Sequence, residues 1–200
     1  MNRTFKAAIE HRRSIYGLAK QIPLTDAQLE DLVKEALLHV PSAFNSQSTR
    51  IVMLLGAQHN RFWDIVKSAI ARATTPDKAT AATEKIKGSF QSGYGTLLFY
   101  EDQAVVQGLQ KSFPAYADKF PHWSQHTSAM HQFALWTLLE DAGLGATLQH
   151  YHPLIDAEVA QTWDIPAHWS LVAQMPFGAP VGKPGEKTFE PMEKRLKVFK

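Results

Sequence analysis

The 200-residue chain is long enough to bury a sizeable core as one domain spanning residues 1–200, and its 44% hydrophobic and 20% charged residues are ordinary for a globular protein. A formal net charge of +2 excludes the broad basic groove of a nucleic-acid binder, though not a local pocket for a small anion. The absence of cysteine removes disulfides, thiolate metal sites and cysteine nucleophiles, and no apolar run reaches the roughly 18 residues that span a bilayer, so a cytoplasmic protein without membrane partners is expected.

The acid-poor start is interrupted by Glu10, and Phe5, Ala8 and Ile9 fit one face of a short helix better than a targeting segment. The clearest helix is predicted over 25–40, where Leu29, Leu32, Val33, Ala36, Leu37 and Val40 recur at helical spacing. Thr25 and Gln28 form a capping-box pattern, with Leu24 and Leu29 placed as a hydrophobic staple. A second amphipathic helix is predicted over 60–72, with Phe62, Ile65, Val66, Ala69 and Ala73 on its apolar side, and Thr75-Pro76 suits the start of a third. The stretch 124–142 carries Met130, Phe133, Ala134, Leu135, Trp136, Leu138 and Leu139, which predicts a central helix buried nearly all round, stopped by Gly143. Short apolar runs at 51–55, 96–100, 146–151 and 170–175 are read as buried strands. A Gly/Pro/Lys loop at 181–187 leads to an extended tail at 190–200. As a strand, that tail would turn Arg195 and Lys197 to one face. Strands separated by helices imply an α+β sheet covered by helices.

Three groups of residues invite chemistry. Arg12, Arg13 and Ser14 combine two guanidinium forks with a hydroxyl, a set able to neutralise and hold a phosphate monoester. The same cluster also fits a solvated helix end, where cations complement the helix dipole. The segment Pro41-Ser42-Ala43-Phe44-Asn45-Ser46-Gln47-Ser48 offers amides suited to a ring edge that presents acceptor, donor, acceptor, and fits an ordinary polar loop equally well. His122 with His126, and His150 with His152, are spaced to share a face, but no HExxH motif or cysteine accompanies them, so no metal is assigned. Neither Gly143-Leu144-Gly145 nor Gly93-Tyr94-Gly95 completes a dinucleotide fingerprint, and no GxSxG elbow occurs.

Taken in order, RRSIYGL at 12–18, PSAFNSQSTR at 41–50, GLGATLQHYHP at 143–153 and the ending FGAPVGKPGEKTFEPMEKRLKVF at 177–199 resemble the nitroreductase family, in particular its small fatty acid repression mutant protein-type branch. The resemblance covers essentially the whole chain. It implies a central, mostly antiparallel sheet flanked by helices, in an intertwined homodimer with an exchanged C-terminal tail and FMN at the interface.

On that likeness Arg12, Arg13 and Ser14 match the phosphate-binding start, with Tyr16 replacing a frequent third cation. The tail would then supply the missing charge, Arg195 first and Lys197 second. Pro41, Ser42, Ala43, Asn45 and Gln47 match the segment that reaches the flavin from the other subunit, Ala43 replacing a frequent Ser. Leu148, Gln149 and His150 match the strand beside the ring, where His150 replaces a residue that is often acidic. The implied activity is hydride transfer from NADH or NADPH through FMN to nitroaromatics, quinones or similar small aromatic acceptors by a ping-pong route. The flavin carries the chemistry and no side chain is assigned as catalytic. A flavin-binding sensor with little turnover is the alternative. Phe113, Tyr116, Phe120 and Trp123, in an irregular stretch, suit either a lid over the ring or ordinary packing.

Overall fold

The computed structural model describes residues 3–200. Two strands form the heart of the sheet: β3 (Gly95–Asp102) and β5 (Trp169–Pro180), paired antiparallel. Every residue of β3 is buried, the pattern of a strand covered on both faces. On its outer side β3 pairs antiparallel with β2 (Thr49–Leu55). The second edge of β5 is tiled by three separate pieces of chain. These are β1 (Leu18–Ala19) against Pro180 and Ala179, β4 (Gly145–Ala146) against Gly178 and Phe177, and Gln149 against Gln174.

Helices cover both faces. On one, α3 (Gly56–Ala73), α4 (Pro76–Ser89) and α7 (Asp156–Trp163) bring Phe62, Trp63, Val66, Ile86 and Val159 onto Leu98, Tyr100 and Leu171. On the other, α2 (Asp26–His39) and α6 (Phe120–Asp141) bring Leu29, Ala36, Leu135 and Leu139 onto Leu97, Phe99, Met175 and Phe177. Alternation along β3 thus divides one apolar run between two cores, each large buried side chain contributing about 1.5–3 kcal/mol of transfer free energy. The α+β architecture with an antiparallel sheet is the one expected. Helices α1 (Phe5–His11) and α5 (Gln103–Ser112) complete the set.

Local chemistry sets the helix ends. The capping box is formed in full, Thr25 Oγ1 accepting from Gln28 N and Gln28 Oε1 accepting from Thr25 N. Pro76 occupies the first turn of α4. Gly143, at φ 83°, ends α6 as Leu144 N reaches Leu139 O and Gly143 N reaches Glu140 O, the paired bonds of a Schellman stop.

Four expectations need correction. The strand expected at 146–151 shrinks to Gly145–Ala146 plus the bridge at Gln149, because Pro176 offers its carbonyl to Thr147 N at 3.2 Å but has no N–H to return. The tail is not a strand: it has no neighbouring edge in its own chain, and Arg195 N and Leu196 N both turn back to Met192 O at 2.9 Å. Ala73 is exposed at the end of α3. Helix α6 is not buried all round either: Met130 and Phe133 are 39% and 40% exposed, whereas Ser124, Thr127, Ser128, His131 and Gln132 face inward.

Candidate functional site

Helix α1 ends at Arg12, whose backbone N–H caps Ala8 O. Its guanidinium lies 4.4 Å over the Trp136 ring, and its Nε is buried without a hydrogen-bond partner among the described residues. Burial, and then the adjacent Arg13 charge, lower its pKa from the ordinary guanidinium value. Two neighbouring cations that destabilise one another in this way form a place that an anion would stabilise. Ser14 bridges Ala146, and Ile15 N donates to Ala146 O at 3.0 Å, so the end of β4 fixes the block in position.

Opposite, Val181 N donates to Gly17 O at 2.8 Å. A Cβ on Gly17 would stand 2.6 Å from Val181 O, so only glycine lets the two backbones approach. The 181–185 loop therefore folds over the block, and Arg13 Nη2 donates to Gly185 O at 2.7 Å. Arg13, Ser14, Tyr16, Lys183 and Gly185 line a cavity of about 400 Å³. An adjoining cavity of about 570 Å³ shares Arg13 and Lys183 and reaches Trp136 and Glu140. Lys183 is the cation that sequence reading missed. The only signal was one lysine in a Gly/Pro turn. Arg195 and Lys197 line neither cavity and lie exposed in the tail.

The second block is a short 3₁₀ turn, Ala43–Asn45, with unusual backbone. Phe44, Asn45 and Gln47 have φ of 57°, 50° and 47°. Each non-glycine residue there costs on the order of 1 kcal/mol, a strain that persists only where surrounding contacts fix it. Ser42 supplies part of that: its O accepts from Asn45 N and its Oγ from Gln47 N, both at 3.0 Å. Gln47 Nε2 reaches Asn45 O at 3.4 Å, Pro41 is exposed and Ala43 partly buried.

The turn projects Phe44, another residue not singled out from sequence. Its half-exposed ring is the hub of an aromatic cluster, 4.9 Å from Phe113, 5.2 Å from Phe120, and stacked on Trp123 at 6.0 Å and 18°. Phe113, Tyr116, Phe120 and Trp123 are thus brought together.

In the third block, Gln149 exchanges backbone bonds with Gln174 at 2.7 and 2.9 Å, and its Nε2 donates to Thr147 Oγ1. Leu148 is partly buried and His150 exposed. Partial desolvation of its ring, then the neighbouring His152, lower the His150 pKa. Among the described residues no group of three or more His, Cys, Asp or Glu is placed to hold a metal, and no helix is long and apolar enough to cross a membrane.

Within one chain the first and third blocks meet, through Ser14 and Ala146. The second stands apart. Arg12 contacts Trp136 near one end of α6 and Phe44 stacks on Trp123 near the other. Thirteen residues separate those tryptophans, about 20 Å along the helix axis.

The nitroreductase family model matches residues 9–179. The nitroreductase FRM2 of Saccharomyces cerevisiae is 37% identical over 185 residues, 91% of each chain. The structure of the nitroreductase CinD from Lactococcus lactis in complex with chloramphenicol is 40% identical, covers 98% of this chain and 100% of its own, and superposes with a TM-score of 0.89. The same enzyme has been solved with 4-nitrophenol, at 39% identity and a TM-score of 0.89. A more distant structure from Desulfovibrio desulfuricans, in complex with FMN, is 18% identical, covers 98% of this chain and 96% of its own, and shares the fold with a TM-score of 0.68. The chain belongs to the nitroreductase family.

Proposed function

We propose that this oxidoreductase of the nitroreductase type uses FMN, takes hydride from NADH or NADPH, and reduces nitroaromatic or quinone acceptors in two successive half-reactions at one cleft of a homodimer. The observation that carries the cofactor assignment is the cavity lined by Arg13, Ser14 and Lys183, with the unpartnered, buried Nε of Arg12 on the residue before Arg13. This donor set fits a phosphate monoester: guanidinium forks grip its oxygens, the Ser14 hydroxyl adds a neutral donor and Lys183 a point charge. FMN, when bound, supplies the centre that accepts and releases the hydride.

This chain's own residues bind and orient. Arg12, Arg13 and Ser14 anchor the phosphate end. Leu148, Gln149 and His150 line the approach along β5, and the Pro41–Gln47 loop supplies amides and the Phe44 ring. The separation of about 20 Å along α6 favours a loop contributed by a second copy, and Met130 and Phe133 offer that copy an apolar face. Chloramphenicol and 4-nitrophenol on the similar CinD support an aromatic nitro acceptor.

The test is an absorption spectrum of the purified protein followed by anaerobic addition of NADH or NADPH. Yellow protein, bleached by the nucleotide and recoloured by a nitroaromatic, is the expected result. Colourless protein that ignores added FMN refutes the reading. Yellow protein bleached too slowly for turnover supports a sensor instead.

A further inference from the structure

The Phe44 loop leaves the candidate site through Ser48 and enters β2 at Thr49, and two adjacent carboxylates at the end of β3 hold this exit. Glu101 is fully buried. Its Oε2 accepts from Ser48 Oγ at 2.5 Å and its Oε1 from Thr49 Oγ1 at 2.6 Å. Thr49 Oγ1 also lies 3.2 Å from His131 Nδ1, which lies 2.9 Å from Thr127 O. A ring carrying its proton on Nδ1 serves both oxygens and ties the exit to α6. Beside it, Asp102 N donates to Ser48 O at 2.9 Å and Asp102 Oδ2 accepts from Arg50 Nη2 at 2.8 Å. Arg50 Nη1 in turn donates to Gln47 O at 2.8 Å.

Arg50 is engaged by Asp102, so Glu101 is held by hydroxyls rather than by a salt bridge. Burial raises its pKa. A wholly apolar set in place of Glu101, Ser48 and Thr49 would serve stability alone as well, because a buried carboxyl is costly to desolvate. Its placement makes sense for the loop. Three left-handed residues within four positions relax unless both ends are fixed. Ser42 fixes the entry, and Glu101 grips the first two residues of the exit.

We propose that Glu101 is a positioning residue: through Ser48 and Thr49 it fixes the left-handed turn at 44–47 and so the direction in which Phe44, Asn45 and Gln47 face the cleft. The link to catalysis rests on the reading that this loop meets the flavin; the link to loop shape does not.

Two measurements separate these. The first is the rate of chymotryptic cleavage after Phe44 in flavin-free protein, mapped by mass spectrometry. The second is FMN affinity from quenching of flavin fluorescence. Glu101→Ala is expected to speed cleavage at Phe44 at least tenfold and to weaken FMN about tenfold. Glu101→Gln, which keeps one acceptor and gains a donor, stays within threefold of wild type in both. Val159→Ala, in the core on the opposite face of the sheet, lowers the melting temperature but leaves both unchanged. Equal effects from Glu101→Ala and Val159→Ala, no effect from Glu101→Ala, or failure of Glu101→Gln to rescue would each overturn the proposal. If Glu101→Ala does not fold, Ser48→Ala removes one of the two contacts and is read in the same way. A wild-type chain that ignores FMN removes the flavin reading, while the cleavage rates still decide the positioning role.

Discussion

The Arg12 guanidinium lies 4.4 Å over the Trp136 ring with its Nε unpaired, so the helix that carries the apolar core also fixes a cation next in sequence to Arg13, which lines the candidate phosphate cavity. Stacking fixes the plane of the fork without using its donors, leaving them for a ligand. Arg12→Ala combined with Arg13→Ala is expected to weaken FMN by at least a hundredfold, since each lost charge-assisted contact is worth about 1.5–3 kcal/mol. Full FMN occupancy of the double variant after extensive dialysis would show that the phosphate sits elsewhere.

Lys183 and Arg195 compete for the third charge. Lys183→Ala is expected to lower FMN affinity about tenfold, because its loop closes over Arg13 within the same chain. Titration calorimetry of Lys183→Ala beside Arg195→Ala decides between them. A loss confined to Arg195→Ala would hand the role to the tail of a second copy.

Phe44→Ala removes the hub of the aromatic cluster while leaving the backbone of the loop intact. Steady-state kinetics should show the acceptor KM raised about tenfold, as for one lost stacking partner of about 1.5 kcal/mol, with little change in the nucleotide half-reaction. Unchanged acceptor KM would mark the cluster as packing only.

Two copies are expected to share the site. Light scattering should report twice the mass of one chain, and Met130→Glu with Phe133→Glu should yield single chains that no longer retain flavin. Single chains that keep their FMN would sink the shared-site arrangement.

His59 is buried, with Nδ1 2.9 Å from Thr96 Oγ1 and Nε2 3.2 Å from Gln91 O, and burial pushes its pKa down to about 4. Between the ordinary value of 6.5 and about 4, the unfolded imidazole takes up a proton that the folded one refuses. Stability therefore falls by up to about 3 kcal/mol as the pH drops through that window and levels off below it. Denaturant midpoints measured across the window should slope for wild type and flatten for His59→Asn. Burial lowers His131 with the same sign, whereas the raised Glu101 and Asp156 act oppositely, so the variant comparison isolates His59.

Patterned elements were legible in the sequence and their exceptions were not. The capping box at Thr25 and Gln28 and the buried runs of β3 and β5 follow from local spacing, and the structure contains them; β2 is a strand as expected, but as an edge strand it is only partly buried. Helix α6 misled because spacing treats serine, threonine and histidine as solvent-facing. Here most of them find partners within the helix itself, Ser124 Oγ donating to Pro121 O, Thr127 Oγ1 to Trp123 O and Gln132 Nε2 to Ser128 Oγ, while His131 meets Thr49 of β2, far along the chain. Phe44 was passed over because a left-handed phenylalanine has no sequence signature. Lys183 escaped because its approach to Arg13 depends on the backbone contact between Gly17 and Val181. The extended tail was expected from its alternation, but an extended tail needs an edge to pair with, and among the described residues this chain supplies none.

The tiling of β5 also bears on when the protein becomes competent. Leu18 pairs with Pro180 and Ala146 with Phe177, so the cradle around Arg13 closes only once residues 177–185 have left the ribosome. High contact order of this kind slows folding, and a nascent chain halted before β5 would present Arg13 without the Gly185 carbonyl that holds it. The candidate cradle is thereby absent from a growing polypeptide until β5 is free to pair.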